Sequence, residues 1–129
     1  MVLWWMMSPR NLKNQLRYKR YMKNNPEGCG FCRAIEEDTD QVVRTHSSLT
    51  ILRNMFPYSR WDGRGVADHL MIVPKRHITD TNSLAVQESQ ELIELMREYD
   101  MKGYSFYIRS DTNRSKSMAH LHGHLILTK

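Results

Sequence analysis

Residues 120–127 read HLHGHLIL, and three of the chain's six histidines, His120, His122 and His124, fall within them. Every second position is an imidazole, with Leu121, Gly123 and Leu125 between. A period of two marks a β-strand. Met118 and Leu125 to Leu127 are apolar, and no Gly-Pro break interrupts the run. On a strand the three imidazoles share one face, while Leu121 and Leu125 point to a core. On a helix they would scatter around the circumference.

Spacing then limits the chemistry. At about 3.3 Å per residue, His120 and His124 start roughly 13 Å apart. Two nitrogens on one metal ion, with bonds near 2.1 Å, lie only about 3.4 Å apart. One metal can hardly take all three rings, so at least two jobs are implied. The bland alternatives are an inert exposed strand face and an affinity tag, and a tag would be contiguous histidine. The pattern favours a functional site.

The 129 residues are 40% hydrophobic and 26% charged, an ordinary balance for one globular domain with a modest core. No apolar run approaches the roughly 20 residues of a membrane helix. The opening MVLWWMM is apolar but short, and no small-residue cleavage site follows it. No signal peptide is read, and the cytoplasm is the expected compartment. The net charge of +5 is uneven: residues 1–26 carry Arg10, Lys13, Arg17, Lys19, Arg20 and Lys23 and no acid, leaving 13 basic against 14 acidic side chains elsewhere. This stretch has helix grammar, with Ser8 as cap, Pro9 at the first turn, Leu12 and Leu16 on one face, and Asn24-Asn25-Pro26 as stop. It is expected to be a basic helical extension, residues 1–27, that packs on the domain or on a second subunit. An arm for phosphate or nucleic acid is the less favoured reading.

The domain proper is expected over 28–129. Residues 41–46 and 48–54 read as short strands, 55–68 as a loop, and 69–77 as a buried strand stopped by Pro74. The strongest helix is 86–102, where Leu92, Leu95, Met96 and Tyr99 repeat at helical spacing. Glu88, Glu91 and Glu94 lie early and Arg97 and Lys102 late, as the helix dipole favours, and Gly103 follows as a stop. Residues 104–110 are a strand, and the histidine strand comes last. Strands, helix, strands, without βαβ alternation, predicts α+β with an antiparallel sheet of about five strands and one long helix.

The two cysteines, Cys29 and Cys32, stand in GCGFC. The gap suits one shared metal or a redox disulfide. The redox option wants a thioredoxin-like βαβ context, which this chain lacks. The metal option needs histidines to complete it, with His46, His69, His77 and one of the triad as candidates.

Four stretches together resemble the histidine-triad (HIT) superfamily of nucleotide hydrolases and transferases. HLHGHLI is similar to its His-x-His-x-His signature, and HLMIVPKRH (69–77) to its His-(apolar)4-Pro-Lys-x-His segment. GCGFC resembles the Cys-x-x-Cys of zinc-binding bacterial members, and RNMFPY (53–58) an Asn-x-Phe-Pro-Tyr turn of some of them. The resemblance implies a HIT-like fold and a covalent nucleotidyl intermediate on His122. It implies that His124 and Ser117 serve phosphate and that Asn54 and His69 lie at the nucleotide site. It also implies a structural zinc on Cys29, Cys32, His77 and His120. The expected activity is hydrolysis at the α-phosphate of a dinucleoside polyphosphate or nucleoside phosphoramidate by a homodimer paired through a sheet edge and the long helix. The rivals are a nucleotidyltransferase and a non-catalytic nucleotide-binding module. The chain departs from the family in the loop SDTNRSKSMA (110–119), more basic than the usual Gly- and Gln-containing loop, and in ending soon after the triad. HGH, rather than a His-x-Gln ending, tilts the expectation to hydrolase.

Overall fold

A computed structural model describes residues 10–24 and 28–129. Ser8, Pro9, Asn25 and Pro26, the expected punctuation of the first helix, lie outside them. Three helices are described: α1 (Leu12–Asn24), α2 (Gly30–Glu37) and α3 (Val86–Met101). The strands are β1 (Val42–Thr45), β2 (Leu49–Arg53), β3 (Arg60–Trp61), β4 (Arg64–Pro74), β5 (Ser105–Ile108) and β6 (Gly123–Thr128). Five form a path β1-β2-β4-β6-β5, antiparallel at every step, and β3 pairs with the start of β4. The architecture is the expected α+β, with α2 as a helix the sequence did not predict and two further differences in its elements.

The first is the stretch 55–68, expected as loop. Arg60 pairs with Gly65 and Trp61 with Arg64, leaving Asp62-Gly63 as a two-residue turn. Both carry positive φ, +52° and +72°, as a tight hairpin turn that follows strand twist requires. The second is the histidine strand. It begins only at Gly123, so His120 and His122 precede the ladder. The Leu121 N–H is instead taken by the Ile78 carbonyl at 2.7 Å.

The sheet is covered on both sides, which is why β2 is buried at four of its five positions. On one side α3 lays Leu95 and Tyr99, flanked by Leu92 and Met96, on Leu49, Ile51, Leu70, Ile72 and Leu125. That is the apolar face its spacing predicts. The helix stops in a left-handed Gly103, φ +91°, with the Tyr104 N–H returning to the Tyr99 carbonyl at 3.0 Å. Two early glutamates do more than complement the dipole. Glu91 accepts from the Ser48 and Leu49 amides at 3.1 and 2.9 Å, and Glu88 pairs with Arg76. On the other side Phe31 of α2 packs on Leu52, Met71 and Val73.

α1 also packs on the domain, but not through its leucines. Tyr18 and Tyr21 meet Phe56 at centroid distances of 5.4 and 5.3 Å, and Gln15 is buried. Leu12 and Leu16 stay 46% and 54% exposed.

Between His122 and His124, at the start of β6, only glycine fits. A Cβ on Gly123 would lie 2.4 and 2.6 Å from the Phe106 ring of β5, and backbone holds both. We expect Gly123→Ala to cost about 1–3 kcal/mol, the usual penalty of overpacking, measured as a lower denaturation midpoint. A midpoint equal to that of the unaltered chain would show that Phe106 has room to move.

Candidate active site and metal centre

Cys29 caps α2, its Sγ accepting from the Cys32 N–H at 3.4 Å. Both sulfurs therefore sit at the positive end of a helix. His77, three residues past β4, and His120, three residues before β6, come to meet them. The four donor atoms lie within 4.8 Å of one another. Cys29 Sγ is 3.4 Å from His120 Nδ1, and Cys32 Sγ is 3.4 and 3.5 Å from Nδ1 of His77 and His120. A tetrahedral zinc with bonds of about 2.3 Å to sulfur and 2.0–2.1 Å to nitrogen would place such pairs about 3.5 Å apart. The donors fit that ion. His120 Nε2–H donates to the Pro74 carbonyl at 2.7 Å. That bond leaves Nδ1 with the lone pair a metal takes. Burial and the Cys29 sulfur beside it push the Cys32 thiol up to about 11, and a bound cation would act in the opposite direction. His46 and His69, the other candidate ligands, are outside the cluster.

The remaining triad imidazoles belong to a separate set of contacts, and the hydrogen bonds fix their tautomers. The Tyr58 N–H donates to His69 Nδ1 at 3.1 Å. His69 must then carry its proton on Nε2, which donates to His124 Nδ1 at 2.8 Å. His124 in turn carries its proton on Nε2. His122 is opposite: its Nδ1–H donates to the His120 carbonyl at 2.8 Å, leaving Nε2 with a lone pair. The rings of His122 and His124 are 4.9 Å apart between centroids. One presents a lone pair and the other a donor.

All three rings are neutral near pH 7. Burial, with the Arg10 charge adding to it, pushes His69 down to about 3. Burial, then the neighbouring imidazoles and arginines, pushes His124 down to about 2. Burial also lowers His122, against its bond to the His120 carbonyl, and the Lys116 charge works in the same direction as burial. Packing holds the rings in place. Tyr107 stacks on His124 at 4.5 Å and 9°, Trp61 stacks on Tyr107 at 4.9 Å and 11°, and Phe31 meets His122 edge-on at 5.1 Å.

His122 and His124 line a cavity of about 590 Å³ together with Asn54 and Ser117. Asn54 is held by its Oδ1, which accepts from the Phe56 N–H at 2.8 Å. Ser117 is exposed at the rim. His69 is among the residues expected at the nucleotide, but it does not line the cavity; it stands behind His124 and sets its tautomer. Several lining residues escaped the sequence reading. Arg10 precedes α1, and Arg109 follows β5. The Lys116 side chain is 5% exposed, with its ammonium on the Thr79 carbonyl at 2.6 Å and on Asp111 at 2.9 Å. The only signal for Arg10 and Lys116 was the basic character of residues 1–26 and 110–119, and Arg109, read as part of a strand, gave none.

A family model described as the HIT domain matches residues 36–129. The chain belongs to the HIT family. Cys29, Cys32 and α1 lie before the matched stretch. No curated protein matches the sequence significantly. Among solved structures, a HIT family hydrolase from Legionella pneumophila is 23% identical, with a TM-score of 0.56, covering 76% of this chain and 90% of its own. A HIT family hydrolase from Clostridium thermocellum is 22% identical, with a TM-score of 0.59, covering 80% and 91%. A zinc-bound histidine triad family protein from Mycobacterium smegmatis is 15% identical, with a TM-score of 0.60, covering 79% and 76%. These likenesses show the HIT-like fold. No helix among the described residues is long and apolar enough to cross a membrane.

Proposed function

We propose that this HIT family chain is a nucleotide hydrolase that cleaves at the α-phosphate of a nucleotide whose leaving group is a second nucleotide, a polyphosphate or an amine. The observation that carries the reading is the opposite tautomers of His122 and His124 on one cavity wall. His122 Nε2 attacks the α-phosphorus; a P–N bond forms and the bond to the leaving group breaks. Its electron pair goes with the leaving group, which departs as a phosphate anion or, if an amine, takes a proton from solvent. The His124 Nε2–H and the Ser117 hydroxyl donate to the phosphoryl oxygens as charge develops on them. Water then attacks the nucleotidyl-imidazole, the P–N bond breaks, and the mononucleotide leaves with the water oxygen. The water's proton passes to solvent. Asn54, which also lines the cavity, binds the ribose in this reading.

Zinc on Cys29, Cys32, His77 and His120 would supply a cross-link between α2 and the two segments that flank the sheet. With four protein ligands it would have no open position for substrate. A pair of free thiols that must stay reduced fits a cytoplasmic setting. Within this reading, residues 28–129 form the HIT-like domain and 1–27 a basic extension.

The test is incubation with dinucleoside polyphosphates and nucleoside phosphoramidates, with mass spectrometry of the intact chain handled at alkaline pH. Release of mononucleotide and one nucleotidyl mass on the His122 peptide is the expected result. Transfer to phosphate instead of water would make it a transferase, and binding without cleavage a nucleotide-binding module.

The same reading takes the chain as a homodimer. Val86, Ile93 and Met101 of α3 are 76%, 53% and 90% exposed, and so small a domain gains core by pairing. Light scattering at micromolar concentration should give twice the chain mass; a monomer would remove this part.

A further inference from the structure

Five cations line the cavity, Arg10, Lys19, Arg109, Arg114 and Lys116, and no carboxylate does among the described residues. Two of them converge on one side chain. The Arg10 guanidinium lies over the Tyr58 ring, 5.1 Å from its centroid, and over Tyr18 at 4.6 Å, with its Nε–H donating to the Phe56 carbonyl at 2.6 Å. Arg109 lies over Tyr107 and donates from Nη2 to the Tyr58 hydroxyl at 3.3 Å. Tyr58 is stacked against His124 at 5.5 Å and 20°. Two positive charges are thus brought to the ring that adjoins the phosphate-facing imidazole.

We infer that Arg10 and Arg109 form a second anion site beside His124, taking a phosphate of the leaving group and so selecting a nucleoside polyphosphate over a phosphoramidate. This rests on the hydrolase reading above and narrows it.

Three observations support it. The α-phosphate already has His122 and His124, so two more guanidiniums exceed what a single phosphate uses. Gathering like charges in a half-buried site is unfavourable, and a polyanion bound between them offsets that repulsion. Burial and Arg109 both hold the Arg10 guanidinium below its ordinary value. An amine leaving group carries no phosphate for these guanidiniums to hold, whereas a polyphosphate departs as a multiple anion. The site is also particular to this chain's extension. Arg10 lies before the stretch matched by the HIT domain, and its guanidinium is held against Tyr18, Tyr58 and the Phe56 carbonyl at the cavity wall. Of the six basic residues before position 27, Arg10 and Lys19 face the cavity, which gives part of that charge a job inside the site rather than on a nucleic-acid surface.

The test uses the full chain as purified, with Arg10→Gln and Arg10→Lys. The ratio of kcat/KM for a dinucleoside tetraphosphate to that for a nucleoside phosphoramidate should exceed one in the unaltered chain. It should fall roughly ten- to a hundredfold in Arg10→Gln, the loss expected of one charge-assisted contact, and recover in part in Arg10→Lys. A purely structural pin would lower both rates together and leave the ratio in place, which overturns the inference. So does a preference of the unaltered chain for the phosphoramidate, although hydrolysis itself would then stand. Binding of inorganic tripolyphosphate, followed by calorimetry, needs no turnover. If neither substrate is cleaved yet Arg10→Gln loses tripolyphosphate affinity, the anion site stands and the hydrolase reading falls. Equal tripolyphosphate affinity in both proteins removes the site.

Discussion

His122→Ala should leave a folded protein that binds nucleotide and turns over at least about 10⁴-fold more slowly, because the two-step route through a covalent intermediate disappears. The fold should tolerate it. His122 is not one of the clustered metal donors, and its ring contributes an edge contact to Phe31 and one bond to a backbone carbonyl. Its neighbours in the relay keep their partners, since the Tyr58–His69–His124 chain does not pass through it. His124→Ala should be milder, about 10²- to 10³-fold in kcat, the loss typical of one preorganised donor to a developing oxyanion. It leaves the nucleophile and its tautomer intact. The contrast is read by single-turnover kinetics with thermal melting on the same samples. Near-normal turnover in His122→Ala would mean that another atom accepts the nucleotidyl group.

The unequal roles of the three histidines were only half legible in the primary structure. Alternation in 120–127 implied that one ion could hardly hold all three rings, and the structure divides them, His120 with the cysteine cluster and His122 and His124 on the cavity. It overstated the strand, because backbone pairing with Ile78 pulls His120 and Leu121 out of the ladder. That departure is what lets His120 reach the cysteines while His124 stays in β6. The tautomers were not legible at all: they depend on a backbone amide of Tyr58 and the carbonyls of His120 and Pro74, which carry no side-chain signature. The hairpin at 60–65 was missed although Asp62-Gly63 is a strong turn signal, because the strand on one side has only two residues. α2 was missed for a similar reason: GFCRAIEE is short, and its start lies inside the stretch read as a metal loop. For α1 the leucine pattern pointed to the wrong face, since Tyr18 and Tyr21 gain more by packing on Phe56 than Leu12 and Leu16 would against solvated loops. That choice brings Arg10 to the site, a contact between residues 48 positions from Tyr58 in the chain that no local pattern announces.

Stripping zinc, or replacing Cys32 by serine, should lower the melting temperature by roughly 10 °C or more, since a structural site contributes its binding energy to folding and each kcal/mol moves a domain of this size by several degrees. The metal would join residues 29 and 32 to 77 and 120, closing loops of several tens of residues whose freedom the unfolded chain otherwise keeps. The ligands should not be equivalent. His77 is exposed and meets the cluster through one nitrogen, so His77→Ala should lose mainly the metal bond. His120 is fully buried and also donates to the Pro74 carbonyl. His120→Ala removes the ligand, leaves a void and strands a buried acceptor, and should be the more damaging of the two. Elemental analysis of protein that has never met a metal column should find about one zinc per chain. Turnover per folded molecule should change far less in Cys32→Ser than in His122→Ala, because the cluster meets the His122 ring only indirectly, through the His120 carbonyl and the Phe31 ring. A metal-free chain that melts at the same temperature as the metal-bound one would rule out a structural zinc, and loss of turnover without loss of stability would move the metal into the reaction itself.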